Sequence, residues 1–160
     1  MRRIIEPIFG LLKERLPELN HIDVNLEQLQ TDNPPVDFPC ALVDVEEVNY
    51  RSATGGIQLG EVAVSVTFGF RVFAPSNVNS PQELRDLGLQ HYDIVRKAAA
   101  VLHGFSTPEF TPLNRIGYRR GAQTYPRTIT LVFTTQLKDR SVKNYTRIPA
   151  DPVIIPSIRR

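Results

Sequence analysis

Between residues 62 and 72 the chain alternates without a fault. Val62, Val64, Val66, Phe68, Phe70 and Val72 fall on one face. Ala63, Ser65, Thr67, Gly69 and Arg71 fall on the other. Successive side chains of a strand point to opposite faces, so this pattern predicts a long strand with one large apolar face and one small or polar face. The large face predicts a floor under packed helices. The small face is too small and too polar to build a second core alone, and it would allow close approach by another subunit. Arg71 is the one charged residue on it.

The segments around this strand set the fold class. Over residues 3–16, Ile4, Ile5, Ile8, Leu11, Leu12 and Leu16 recur at helical spacing, with Pro7 expected in the first turn and Pro17 as the stop. Residues 22–26 alternate briefly and predict a short edge strand. A proline-rich loop follows over 30–39. Residues 41–50 read as a strand whose parity slips, and a bulge at Glu46-Glu47 would repair it. Gly55-Gly56 predicts a hairpin tip between this strand and the long one. Ser80, Pro81 and Glu83 have the spacing of a capping box, and they open a helix over 81–103 with Leu84, Leu87, His91, Ile94, Val95, Ala98, Val101 and Leu102 as its apolar stripe. Two further strands, about 111–123 and 127–137, flank a turn at Tyr125-Pro126. The sum is an α+β fold: an antiparallel sheet of four or five strands with two helices on one face.

At 160 residues the chain is long enough for a core of its own and predicts one domain over 1–140, with a proline-rich extended arm over 141–160. No segment reaches the roughly 18 apolar residues of a membrane span. Glu6, Pro7 and Lys13 break up the basic, apolar start, which argues against a signal peptide and for a protein kept in a cytoplasm. The single cysteine, Cys40, sits among apolar neighbours and reads as a buried structural thiol. The net charge of +2 conceals a division. Residues 1–109 hold 9 Lys/Arg against 15 Asp/Glu, whereas residues 110–160 hold 10 against 2. Such a division suits contact with nucleic acid. It equally suits an acidic face of one copy meeting a basic face of the next.

No catalytic constellation stands out. His21, His91 and His103 have no metal-ligand spacing. The run Asp44, Glu46, Glu47 has no Lys, His or glycine-rich loop in its neighbourhood to complete an acid–base or Mg²⁺ site, and reads as a solvated strand face or a subunit contact. Gly55-Gly56 lies between strands, and no Lys-Ser/Thr follows, so it is not a phosphate loop. These residues give no reason to expect an enzyme. The candidate functional group is Arg115, Tyr118, Arg119, Arg120, Tyr125 and Arg127, with Arg71 beside it. Arginines interleaved with tyrosines serve subunit contacts and phosphate or base contacts alike. A subunit contact, a nucleic-acid contact and a solvated hairpin all remain open.

The order of elements resembles the tail terminator and tail-completion proteins of long-tailed bacteriophages and prophages. The likeness runs over residues 1–140: a helix over 4–16, a meander with its glycine hairpin at 52–60, the long strand, a helix over 81–103 and a closing hairpin over 111–137. The resemblance implies a homo-oligomeric ring, a hexamer, that caps the tail tube, stops its growth and joins it to the head–tail connector proteins. DNA would pass through its lumen. It implies a protein assembled in the bacterial cytoplasm and carried in the virion tail, with no enzymatic activity, no cofactor and no membrane partner. Within such a ring the small face of the long strand would meet a neighbour or line the lumen. A head–tail connector or another minor tail protein of similar fold is the near alternative, and a small nucleic-acid-binding α+β domain the distant one.

Overall fold

A computed structural model of the chain describes residues 1–53, 57–72, 74–122 and 125–139. The arm over 141–160 and the glycine tip at 55–56 lie outside the described residues. Helix α1 spans Arg2–Arg15, strand β1 His21–Val24, β2 Cys40–Ala53 and β3 Ile57–Phe70. Helix α2 spans Gln82–Leu102, followed by β4, Asn114–Arg120, and β5, Arg127–Asp139. The five strands form one sheet in the order β1-β2-β3-β5-β4. The expected α+β class holds, with one correction. The sheet is mixed, because β1 runs parallel to β2 while every other pair is antiparallel. Parallel neighbours need a crossover, and here the loop over 25–39 makes it.

The alternation is realised from Val62 to Phe70, where β3 ends, so Arg71 and Val72, read as the end of the strand, lie past it. Val62, Val64, Val66, Phe68 and Phe70 are all buried beneath the helices. Ile129, Leu131, Phe133, Thr135 and Leu137 of β5 stand beside them in register. Ile4, Ile8 and Leu12 of α1 and Ile94, Val95, Ala98 and Leu102 of α2 close the core from above. Full burial of each such aliphatic side chain is worth about 1.5–3 kcal/mol. The β2 bulge falls where the parity slip placed it, with the register shifting between Val45 and Glu47.

Several local expectations give way to tertiary contacts. Helix α1 begins at Arg2, so Pro7 lies in its second turn and not its first. The capping box does not form: Pro81 is the cap residue of α2 and no side chain caps the helix. The apolar stripe of α2 starts later than its sequence suggests. Leu84 and Leu87 are exposed, and the first buried position is Gly88. A Cβ on Gly88 would come within 2.9 Å of the Ala74 and Pro75 carbonyl oxygens, so the segment before α2 uses the missing side chain to lie against the helix.

The open face of β3 carries a small second core at one end. Leu29, Val36, Cys40 and Leu42, with Phe38, pack there. A Cβ on Gly69 would meet Cys40 Sγ at 2.8 Å and Phe38 Cε1 at 3.0 Å. The close approach at Gly69 is therefore made by the chain's own crossover loop. Cys40 is fully buried, and desolvation pushes its thiol up to about 11.

Candidate functional site

The arginine–tyrosine group does not converge on one surface. Arg127 opens β5 on the helix-covered face, opposite Phe70. Its guanidinium reaches His91 Nε2 at 3.1 Å. A guanidinium only donates, so Nε2 accepts and the ring is neutral with its proton on Nδ1. That Nδ1 is buried without a partner of good geometry. Desolvation, and then the Arg127 charge, hold His91 below its ordinary titration range, with the Gly88 carbonyl pulling the other way. Nothing in the sequence linked these two residues, 36 positions apart; only the place of His91 in an apolar stripe marked it for burial.

Arg71 lies at the other face, just past the end of β3, with its guanidinium 4.9 Å from the centre of the Phe38 ring. A cleft of about 730 Å³ runs from there to His91 between the crossover loop and α2. Its described lining gathers no reactive constellation. Tyr125 is partly exposed in the turn before β5.

The remaining four residues sit on β4, an edge strand whose side chains are almost all exposed. Directly opposed residues share a face. Tyr118 opposes Leu131 and Arg120 opposes Ile129, so both lie on the helix face. Arg119 opposes Thr130 and lies on the open face. Arg115 precedes a register shift that frees Ile116, which is 59% exposed beside a Tyr118 that is 53% exposed. Among the described residues, no acidic side chain pairs with Arg115, Arg119 or Arg120.

The other edge of the sheet has the opposite charge. Strand β1 covers only Cys40 to Val43 of β2. Asn25 N–H bonds the Val43 carbonyl, and the chain then leaves the sheet for a short 3₁₀ turn at Gln28–Gln30. Beyond that point β2 is itself the edge and begins with Asp44, Val45 and Glu46. Neither Asp44 nor Glu46 has a basic partner among the described residues. Tyr50 lies farther along, its ring across Gly60 of β3 and one side open to solvent. One edge of one sheet is thus acidic and the other basic, and each carries a bulge and exposed aromatic surface.

These features define a mixed-sheet α+β protein with two charged, unlike edges. No protein-family model matches the chain, and no curated protein matches its sequence. Among solved structures it is similar to a chain from the virion of a native gene transfer agent particle. The two share 12% identity over 86% of this chain and 88% of that one, with a TM-score of 0.37. Among the described residues no helix is long and apolar enough to cross a membrane.

Proposed function

We propose that this chain is a structural, ring-forming component of a phage-like tail, a tail terminator or tail-completion protein, and not an enzyme. The observation that carries this reading is the placement of opposite charge on opposite edges of a single sheet. Bulges and charges on an edge strand ordinarily discourage pairing. Here they discourage only like edges. Two β4 edges repel one another through Arg115, Arg119 and Arg120, and two acidic β2 edges do the same. An acidic edge against a basic one is the attractive combination. Such a contact joins unlike surfaces of identical copies, so it is head-to-tail. Head-to-tail contacts close into rings or run on as filaments. A ring matches the role of capping a tube, with the tube protein on one side and the connector on the other.

The test is mass in solution. Light scattering and native mass spectrometry at low salt are expected to show a closed oligomer, six copies in the proposed reading, that dissociates as salt rises. A strict monomer at millimolar concentration and low salt would overturn the reading. The competing use of the basic edge is tested in the same samples: steeply salt-dependent binding of duplex DNA, abolished by Arg119→Ala with Arg120→Ala, would favour a nucleic-acid-binding domain.

A further inference from the structure

We infer that β4 of one copy adds as an antiparallel strand to the uncovered outer edge of β2 in the next copy, with Tyr118 opposite Val48, so that the sheet continues from subunit to subunit. The inference rests on the ring reading and names its interface.

Backbone direction supplies the first support. In an antiparallel ladder each residue sends its N–H and C=O to the same side, and successive residues alternate. Gly121 N–H bonds the Thr128 carbonyl on the β5 side. Counting back, Arg119 and Gly117 face β5, while Tyr118 and Arg120 face outward. Arg115 also faces outward, and its N–H is taken by His103 Nδ1 at 3.3 Å. The open part of β4 is therefore the stretch after that bond. On β2, Val43 faces outward to β1. Past the bulge, the register with β3 turns Val48, Tyr50 and Ser52 outward. Among the described residues, no strand pairs with that stretch. It is longer than the 7 residues of β4, which extend over about 24 Å at ~3.4 Å per residue.

Topology supplies the second. Three successive antiparallel pairings separate β2 from β4, so the two strands run in opposite directions within one chain. Rotation about an axis along the strands preserves direction. A neighbour's β4 then arrives antiparallel to β2, with the helix faces on the same side. The outward residues of both strands carry helix-face side chains, so the register that matches hydrogen bonds also matches faces.

Charge supplies the third, independently. With Tyr118 opposite Val48, Arg120 falls opposite Glu46, Arg119 falls at the position of Glu47, and the exposed Ile116 falls opposite Tyr50. A parallel arrangement would instead carry the arginine end of β4 toward Arg51, which already pairs with Glu61 at 3.8 Å. Opposite charges then meet at one end of the contact and apolar surface at the other only in the antiparallel sense.

The test is covalent trapping of Tyr50→Cys with Ile116→Cys in the full chain. Hydrogen-bonded pairs across an antiparallel ladder stand about 5.5 Å apart at Cα, within disulfide reach. Native Cys40 is buried and stays out of the exchange. Oxidation is expected to give a ladder of covalent oligomers whose top rung is the ring number, because each copy offers one cysteine to each neighbour. Each single variant gives at most a dimer. In parallel, Arg120→Glu is expected to raise the concentration needed for assembly at least about tenfold, and Glu46→Arg added to it to restore assembly. Both residues are exposed, so neither change should prevent folding. Assembly of the wild type without the disulfide ladder and without charge-swap rescue would overturn the pairing while leaving the ring reading intact. A strict monomer would overturn both.

Discussion

Gly69 and His91 show how single residues are held by neighbours far away in sequence. The alternation puts Gly69 on the small face, which predicts room for another subunit. In the folded chain it is the seat of the crossover loop, with Cys40 and Phe38 at or inside contact distance of a missing Cβ. Replacing Gly69 by Val is expected to destabilise the domain by about 1–3 kcal/mol in urea unfolding, because the neighbours include a packed ring. His91 gives a pH signature. Its folded-state proton affinity lies below the ordinary value of 6.5, through burial and Arg127. The unfolded chain then binds the proton first. Its contribution to stability is complete above about pH 6.5 and is lost as pH falls through the folded-state value. Among the described residues, the groups facing the ring are Arg127 from β5, Phe70 from β3, and Tyr92 and the Gly88 carbonyl from α2 itself. None of them is an acid that could stabilise an imidazolium. Unfolding followed from pH 7.5 to 5 is expected to show this slope in the wild type and to lose it in His91→Gln.

Among the elements, α1 is the one that conflicts with its own sequence. Pro7 in the second turn removes one backbone bond and crowds the carbonyl four residues earlier. The helix survives because Ile4, Ile8 and Leu12 are fully buried in the core. Pro7→Ala should therefore raise stability by about 1–3 kcal/mol, measured by thermal or urea unfolding; an unchanged midpoint would mean the proline is already accommodated. Helix α2 is tied to the turn that follows α1 through Lys97 and Glu18, a contact that holds the Glu18 carboxyl below its usual range. Its first turn overhangs the core with Leu84 and Leu87 exposed. The two bulges, in β2 and β4, both lie on strands that form an edge of the sheet. There an extra residue breaks the repeating pattern that indiscriminate strand addition requires.

At the scale of the whole molecule, the division of charge along the chain becomes a division in space. The acidic residues of β2 and the arginines of β4 end at opposite edges because β3 and β5 lie between them in the sheet. Association through exposed charges weakens when the screening length falls from about 10 Å at 0.1 M salt to about 3 Å at 1 M. Sedimentation is expected to show assembly at 50 mM salt and dissociation at 1 M. Persistence at 1 M would assign the contact to the apolar surface around Ile116, Tyr118 and Tyr50 instead.

The sequence by itself determined what rests on local repetition. The period of two in β3 and β5 and the helical spacing of Ile4, Ile8 and Leu12 define their elements, because the faces they create must be buried wherever the chain goes. The slip at Glu46 was legible for the same reason. Tertiary structure alone decided what depends on which elements meet. It set β1 parallel to β2, filled the open face at Gly69 with the crossover loop, and moved the start of the α2 stripe to Gly88. It also separated Arg71 and Arg127 from the arginines of β4. The physical reason is that strand order and approach are fixed by the net balance of distant contacts, to which no single stretch of residues contributes a readable pattern.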